Sequence, residues 1–244
     1  MEIRLDGKSA VITGGSKGLG LAMAEKFASS GANVAILARN PETLAEAKRQ
    51  IQAGATGKIA TVSTDVSKAA DIRRAYDSVM SELGQIDILV NNAGQSTRGP
   101  SVELTDEMWQ ADLDLKLFAQ IRLCRLVFPQ MKDRRWGRII NVLNIGAKAP
   151  GADSAPTSVS RAAQMAFSKV LSGEGARTTS SSTRCMSGSS SATRSSAAIA
   201  ARAPMSRSRI SSRRPGGRCH WAAWAKPRNS PTSRLSSLPT PPPM

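Results

Sequence analysis

Short apolar runs alternate with amphipathic stretches from Ser9 to Ala176, and then the alternation stops. "SAVIT", Ser9 to Thr13, is continuously apolar and ends at glycines, which predicts a buried strand. "GLGLAMAEKFASSGA" follows with helical spacing and stops on Gly31. The same pairing recurs. "NVAILAR" predicts a second strand, and "NPETLAEAKRQIQ" a helix with Asn40 as N-cap and Pro41 at its first position. "KIATVSTD" precedes the helical "AADIRRAYDSVMSEL", and "IDILVNNAG" precedes one long helix in "TDEMWQADLDLKLFAQIRLCRLVFPQMKD". "GRIINVLN" is a fifth strand and "TSVSRAAQMAFSKVLSGEGA" the sixth helix. Alternation of this kind predicts an α/β fold: a Rossmann-type, doubly wound parallel sheet flanked by helices, with a ligand crevice at the strand C-termini.

Composition divides the chain at the same place. Residues 177–244 contain eleven arginines, one lysine and no acid, so they carry +12 of the net +16, and residues 1–176 carry +4. The high overall charge therefore says nothing about nucleic-acid binding by the front part. The expected domains are 1–176, a dinucleotide-binding domain, and 177–244, a Ser/Arg/Pro-rich tail too poor in apolar residues to order itself. That division leaves the sheet incomplete at its C-terminal end, with an unpaired edge after the fifth strand. The tail scatters its arginines without repeats and offers no stacking aromatics beyond Trp221 and Trp224, which argues against a nucleic-acid partner. Cys124, Cys185 and Cys219 show no metal spacing. No apolar run is long enough for a membrane span, and the start carries charges where a secretory signal would be apolar, so a cytoplasmic setting is expected.

The first strand-to-helix turn, "TGGSKGLG" from Thr13 to Gly20, carries the candidate chemistry. Gly14 permits the tight turn, Gly18 close approach of a pyrophosphate to backbone, and Gly20 close packing of helix on sheet. Gly14, Ser16, Lys17, Gly18, Leu19 and Gly20 are the candidate phosphate contacts at the positive end of the helix. The second strand ends in Arg39 rather than in an acid that would hold ribose hydroxyls. Arg39, with Lys17 nearby, offers positive charge to a 2′-phosphate, so NADP(H) is favoured over NAD(H). The other reading of Arg39 is a solvated loop charge.

"TGGSKGLG" together with "NNAG", Asn91 to Gly94, resembles the short-chain dehydrogenase/reductase family, of the 3-oxoacyl reductase type, from about Lys8 to Ala176. The resemblance implies a nicotinamide cofactor, hydride transfer to or from a small-molecule carbonyl or alcohol, and a homo-oligomer for a chain with an intact C-terminal part. It also places Asp65 and Val66 of "TDVS" beside the adenine and adds Asn91, Ala93 and Gly94 to the cofactor contacts. The family uses Asn, Ser, Tyr and Lys in its active site. Aligned by motif, those positions are Lys116, Asn144, Thr157 and Arg161, so all four are substituted.

A threonine hydroxyl ionises far above a phenol and cannot by itself replace it as general acid. Arg161 keeps its proton but can hold ribose hydroxyls. Asn144 can donate to a substrate oxygen, and Lys116 can act as acid if burial and Arg161 lower its pKa. An altered catalytic set and a cofactor-binding protein without catalysis both fit these residues.

Residues 177–244 also read as a shifted reading frame. Serine codons of the TCN type, read one base out of step, give NTC, which encodes Phe, Leu, Ile or Val. "TTSSST" then becomes an aliphatic strand flanked by Asn, similar to the family's sixth strand. At the same offset "HWAAWAKPRNSPTS" can read L-G-R-L-G-E-A-E-E-F-A-N, similar to the stretch before the family's last helix.

Overall fold

A computed structural model describes residues 3–176 and the backbone of residues 183–189. The described residues lie within one compact unit, Met1–Arg194. Its sheet has six parallel strands: β1 (Ser9–Thr13), β2 (Asn33–Ala38), β3 (Ile59–Ser63), β4 (Ile88–Asn91), β6 (Gly137–Leu143) and β8 (Thr183–Ser189), in the order β3-β2-β1-β4-β6-β8. The order reverses direction at β1, the topological switch point at which such sheets hold ligands.

Strand alternation sends side chains to two cores. Ala10 and Ile12 of β1, with Val34 and Ile36 of β2, pack under α1 (Gly18–Ser29) and α2 (Pro41–Gln52). Val11, Leu37, Leu89 and Ile139 face the other way, under α3 (Ala69–Leu83), α5 (Ala119–Asp133) and α6 (Thr157–Ala176). As its sequence predicts, α2 is capped by Asn40, whose Oδ1 accepts from the Thr43 N–H at 3.0 Å, with Pro41 opening the helix.

Three features depart from the pattern. The long helix is not uniform: α4 (Asp106–Leu113) passes through a widened π-turn, Asp114–Phe118, into α5. Such a turn carries an extra residue and marks functional sites more often than ordinary helix does. A two-stranded antiparallel ladder joins β5 (Arg98–Gly99) to β7 (Ala155–Pro156), and thereby ties the loop after β4 to the start of α6. Finally, the edge of β6 is paired, not open. Residues 183–189, placed in the unstructured tail by composition, run parallel to β6 in continuous register from Gly137↔Thr183 to Leu143↔Ser189. Backbone pairing needs no apolar side chains, and composition reports only on the latter. The rest of the predicted tail lies outside the described residues.

Candidate functional site

A cleft of about 410 Å³ opens at the C-terminal ends of β1, β2 and β4. Eight of the sequence-predicted cofactor residues line it: Gly14, Ser16, Lys17, Arg39, Asp65, Val66, Ala93 and Gly94. Asn40, Thr43 and Thr64 line it as well. Its floor is a backbone construction. Gly14 has φ +64° and Gly18 φ +55°, left-handed conformations that favour glycine. A Cβ on Gly20 would lie 2.2 Å from the Gly14 carbonyl oxygen, so α1 approaches the turn as only glycine permits. Gly18 and Gly20 thus shape the turn rather than line the cleft, and Leu19 is an exposed side chain outside its lining.

The "NNAG" segment braces this floor. Asn92 donates from Nδ2 to the carbonyls of Thr13 (3.0 Å) and Gly14 (3.1 Å). Thr13 Oγ1 accepts the N–H groups of Asn92 (3.0 Å) and Ala93 (2.9 Å). Asn92 and Thr13 were missed as site residues, although both stand inside the two motifs. Asn91, by contrast, does not reach the cleft. It is the last residue of β4 and alternation turns it inward, where its Nδ2 donates to Asn141 Oδ1 at 2.8 Å.

At the Arg39 end the cleft has two exposed cations, Arg39 and Lys17, and no acid at the end of β2. The Asp65 carboxyl, on the same wall, is pushed up by burial. The Ser67 hydroxyl and amide outweigh that push, with Lys68 and Arg39 helping, and hold it below the ordinary carboxylate range. It therefore stays ionised and can accept from ribose or base donors.

The four candidate catalytic residues, Lys116, Asn144, Thr157 and Arg161, gather at the other end. Lys116, in the π-turn, is fully buried. Its Nζ pairs with Asp112, one turn earlier, and donates to Thr157 Oγ1 at 2.8 Å. Asp112 is buried too and accepts from Ser160 Oγ at 2.6 Å, with Thr157 Oγ1 3.3 Å away. Thr157 Oγ1 donates to the Thr97 carbonyl (2.7 Å) and accepts the Thr97 N–H (3.0 Å), across the β5–β7 tie. Arg161 donates from Nη1 to the Val142 carbonyl (2.9 Å) and Gln164 Oε1 (2.8 Å), and lies against Gly94, where any Cβ would meet its guanidinium. The Lys116 carbonyl accepts from Gln164 Nε2 at 2.9 Å.

Asp112 and Ser160 were not legible as site residues. The one signal was the four-residue spacing of Asp112 and Lys116, which places both on one helix face. Burial lowers the Lys116 ammonium from its ordinary value. Asp112 opposes this, and Arg161 adds to it. Burial likewise lowers Arg161, again against Asp112, though a guanidinium remains charged. Two cations facing one carboxylate leave this corner positive, which favours an oxygen that gains negative charge.

Two polar atoms here have no protein partner. Arg161 Nε and Asn144 Oδ1 are both buried and unbonded. Orphaned buried groups of this kind fit bound polar ligands: a ribose hydroxyl at Arg161, beside the Gly94 wall of the cleft, and a substrate hydroxyl at Asn144. Asn144 and Thr157 share a smaller cavity of about 190 Å³ with Ser96, Arg98, Ser154 and Ser158. The residues present thus fit a dinucleotide, with the glycine turn for its pyrophosphate and Arg161 for its far ribose.

The model of the short chain dehydrogenase family matches residues 8–200. The chain belongs to that family. It is 35% identical over 170 residues to a fatty acyl-CoA reductase of Acinetobacter baylyi, and 34% identical over 173 residues to a D-threitol dehydrogenase of Mycolicibacterium smegmatis. These matches take in 69% and 71% of this chain, and the chain spans 57% and 66% of those two relatives. Among solved structures, L-sorbose reductase from Gluconobacter frateurii, complexed with NADPH and L-sorbose, superposes with a TM-score of 0.70 at 38% identity, over 72% of this chain and 67% of that one. An NAD+-bound xylitol dehydrogenase superposes with a TM-score of 0.67 at 25% identity, over 71% of this chain and 67% of that one. Among the described residues no helix is long and apolar enough to cross a membrane, and no His, Cys, Asp and Glu cluster could hold a metal ion.

Proposed function

We propose that this chain is an NADP(H)-dependent oxidoreductase acting on a small carbonyl or alcohol substrate. The observation that carries the cofactor choice is the cleft wall at the end of β2, where Arg39 and Lys17 line the opening and the strand ends in no acid. The NADPH-bound sorbose reductase supports that choice, while the NAD+-bound xylitol dehydrogenase shows that both cofactors occur among similar folds. When bound, the nicotinamide supplies or takes up the hydride. The chain's own contribution is positional: Asn144 donates from Nδ2 to a carbonyl oxygen or accepts at Oδ1 from an alcohol O–H, Arg161 holds ribose, and the positive corner stabilises developing alkoxide charge.

A second reading has its own support. Every hydrogen-bonding site of the Thr157 hydroxyl is already used, and Lys116 has no exposure, so this corner can be a fixed structural bolt in a cofactor-binding protein that performs no reaction. Titrating NADPH and NADH by nicotinamide fluorescence, then assaying NADPH oxidation against polyol-derived ketones, β-ketoesters and acyl thioesters, separates the two. Tight NADPH binding with turnover of any substrate supports the first, and tight binding with none supports the second. Equal affinity for the two cofactors would remove Arg39 from the reading. The shifted-frame reading of residues 177–244 also stands as a proposal, and it rests on the composition of that segment.

A further inference from the structure

We propose that Arg98 reads a carboxylate on the substrate, so that the substrate is a short oxo acid or the corresponding hydroxy acid. This rests on the oxidoreductase reading above. Arg98 lines the cavity of about 190 Å³ that also holds Asn144. Among the described residues it is the one charged member of that lining; the others are hydroxyl, amide, glycine and apolar residues, and none is an acid. Six arginines elsewhere in the chain each stand beside an acid. Arg98 is exposed, and among the described residues its guanidinium makes no ion pair or hydrogen bond. The same cavity holds the buried, unbonded Oδ1 of Asn144. A small space thus carries a polar group suited to a substrate oxygen and a cation with no partner of its own.

The backbone under Arg98 is fixed to the reaction end. Arg98 pairs with Pro156 across the β5–β7 ladder, and the preceding Thr97 bonds Thr157 through both its N–H and its carbonyl. The start of α6 and the cation therefore keep one spacing, and only the arginine's own torsions remain to be ordered when an anion binds. A Cβ at Gly146 would lie 2.6 Å from Ser158 Oγ, so a larger residue there would narrow the same cavity. Volume sets the size of the ligand. At about 30 Å³ for each water, the cavity has room for about six. A carbonyl oxygen at Asn144 and an anion at Arg98 must then belong to one molecule of a few carbons. A planar guanidinium holds a carboxylate through two parallel N–H···O bonds. An ester of the same length offers it no charge, and leaves Arg98 to water.

The test separates recognition from turnover. The short acids 2-oxobutanoate, 3-oxobutanoate and 4-oxopentanoate, and their methyl esters, are titrated calorimetrically into the full-length chain, alone and with excess NADP+, which has no hydride to give. At least one acid should bind about tenfold more tightly than its ester, and Arg98→Leu should bring the acid down to the level of the ester. Arg98→Lys should keep part of the preference, since the charge remains and the fork does not. No acid binding, or an ester bound as tightly as its acid, overturns the carboxylate reading. Acid binding that Arg98→Leu leaves unchanged belongs to other cations, such as those of residues 177–244, and overturns it too. With NADPH the preferred acid should be reduced with a kcat/KM about tenfold above that of its ester, the difference lying in KM. Acid binding that depends on Arg98 in a chain that reduces nothing keeps the anion site and overturns only the oxidoreductase reading. Equal kcat/KM for acids and esters keeps that reading and overturns the role of Arg98.

Discussion

The two ends of the site are built from different materials. The cofactor end is made of backbone: a glycine turn with two left-handed residues, braced by Asn92 and Thr13. The reaction end is made of side chains, a buried cluster of Asp112, Lys116, Thr157 and Ser160 beside Arg161. Backbone constructions tolerate few residue types, since the Gly20 Cβ has nowhere to go, so the first end retains the family's glycines. Side-chain constructions can be exchanged as a set, provided charges stay paired and donors satisfied. The second end meets that condition: the buried charge of Lys116 is met by a carboxylate one helical turn away.

The largest effect should come from the half-covered face of β6, next to the reaction end. β6 buries Ile139, Asn141 and Leu143 on one face, but leaves Arg138, Ile140 and Val142 only half-buried on the other. Restoring the alternative reading frame near Ala176 replaces serine runs by aliphatic residues able to cover that face. The restored chain should express as a soluble homo-oligomer, melt cooperatively and bind NADPH, whereas the present chain should be trimmed by protease to about residue 189, where β8 ends. Protease resistance of residues 190–244 in the present chain would refute the frame reading and make that segment an evolved part of the fold.

The second prediction breaks the charge pairing. Lys116→Met leaves the Asp112 carboxylate buried without its counter-charge and should cost about 3–5 kcal/mol in urea unfolding. Lys116→Met with Asp112→Leu together should recover much of that loss, because the pair leaves no unmatched carboxylate, although Ser160 loses an acceptor and Arg161 a nearby counter-charge. Additive losses would mean that the two residues are not energetically coupled.

At the cofactor end the comparable change is Arg39→Asp. A charge-assisted contact to a 2′-phosphate is worth about 1.5–3 kcal/mol, so NADPH should weaken roughly ten- to a hundredfold. NADH should change little, and stability should not change because Arg39 is exposed. Similar losses for both cofactors would show that Arg39 does not read the phosphate.

These differences also explain what could be read from the chain. Period-2 and period-3.6 patterns located the major strands and helices because each element buries one face or both, as β2 and α2 do. The β5–β7 ladder has only two residues per strand, too few for a period to appear. The π-turn at Asp114–Phe118 leaves no mark in "LDLKLF" that distinguishes it from ordinary helix. The cofactor cleft was legible because its residues follow the strand ends in order. The Asp112 cluster was not, because its members meet only when α4 packs on α6 and when the β5–β7 tie carries Thr97 to Thr157.

The smallest effect should appear as a slope. The folded-state pKa of Lys116 lies below the ordinary lysine value of 10.5, with burial the first cause and Arg161 adding to it against Asp112. A lowered lysine pKa means that the folded chain releases this proton more readily than the unfolded chain. Below the folded pKa both states hold the proton, and the full cost of the buried charge is paid at every such pH. Between the folded pKa and 10.5 the unfolded state binds more protons, so stability attributable to this group rises with pH. Lys116→Met removes the group and should flatten that rise on the alkaline side, whatever it does to stability at neutral pH. The measurement is urea midpoint against pH for both chains. Parallel curves up to 10.5 would mean that Asp112 compensates the burial fully and that the reaction end holds its lysine no differently from a surface one.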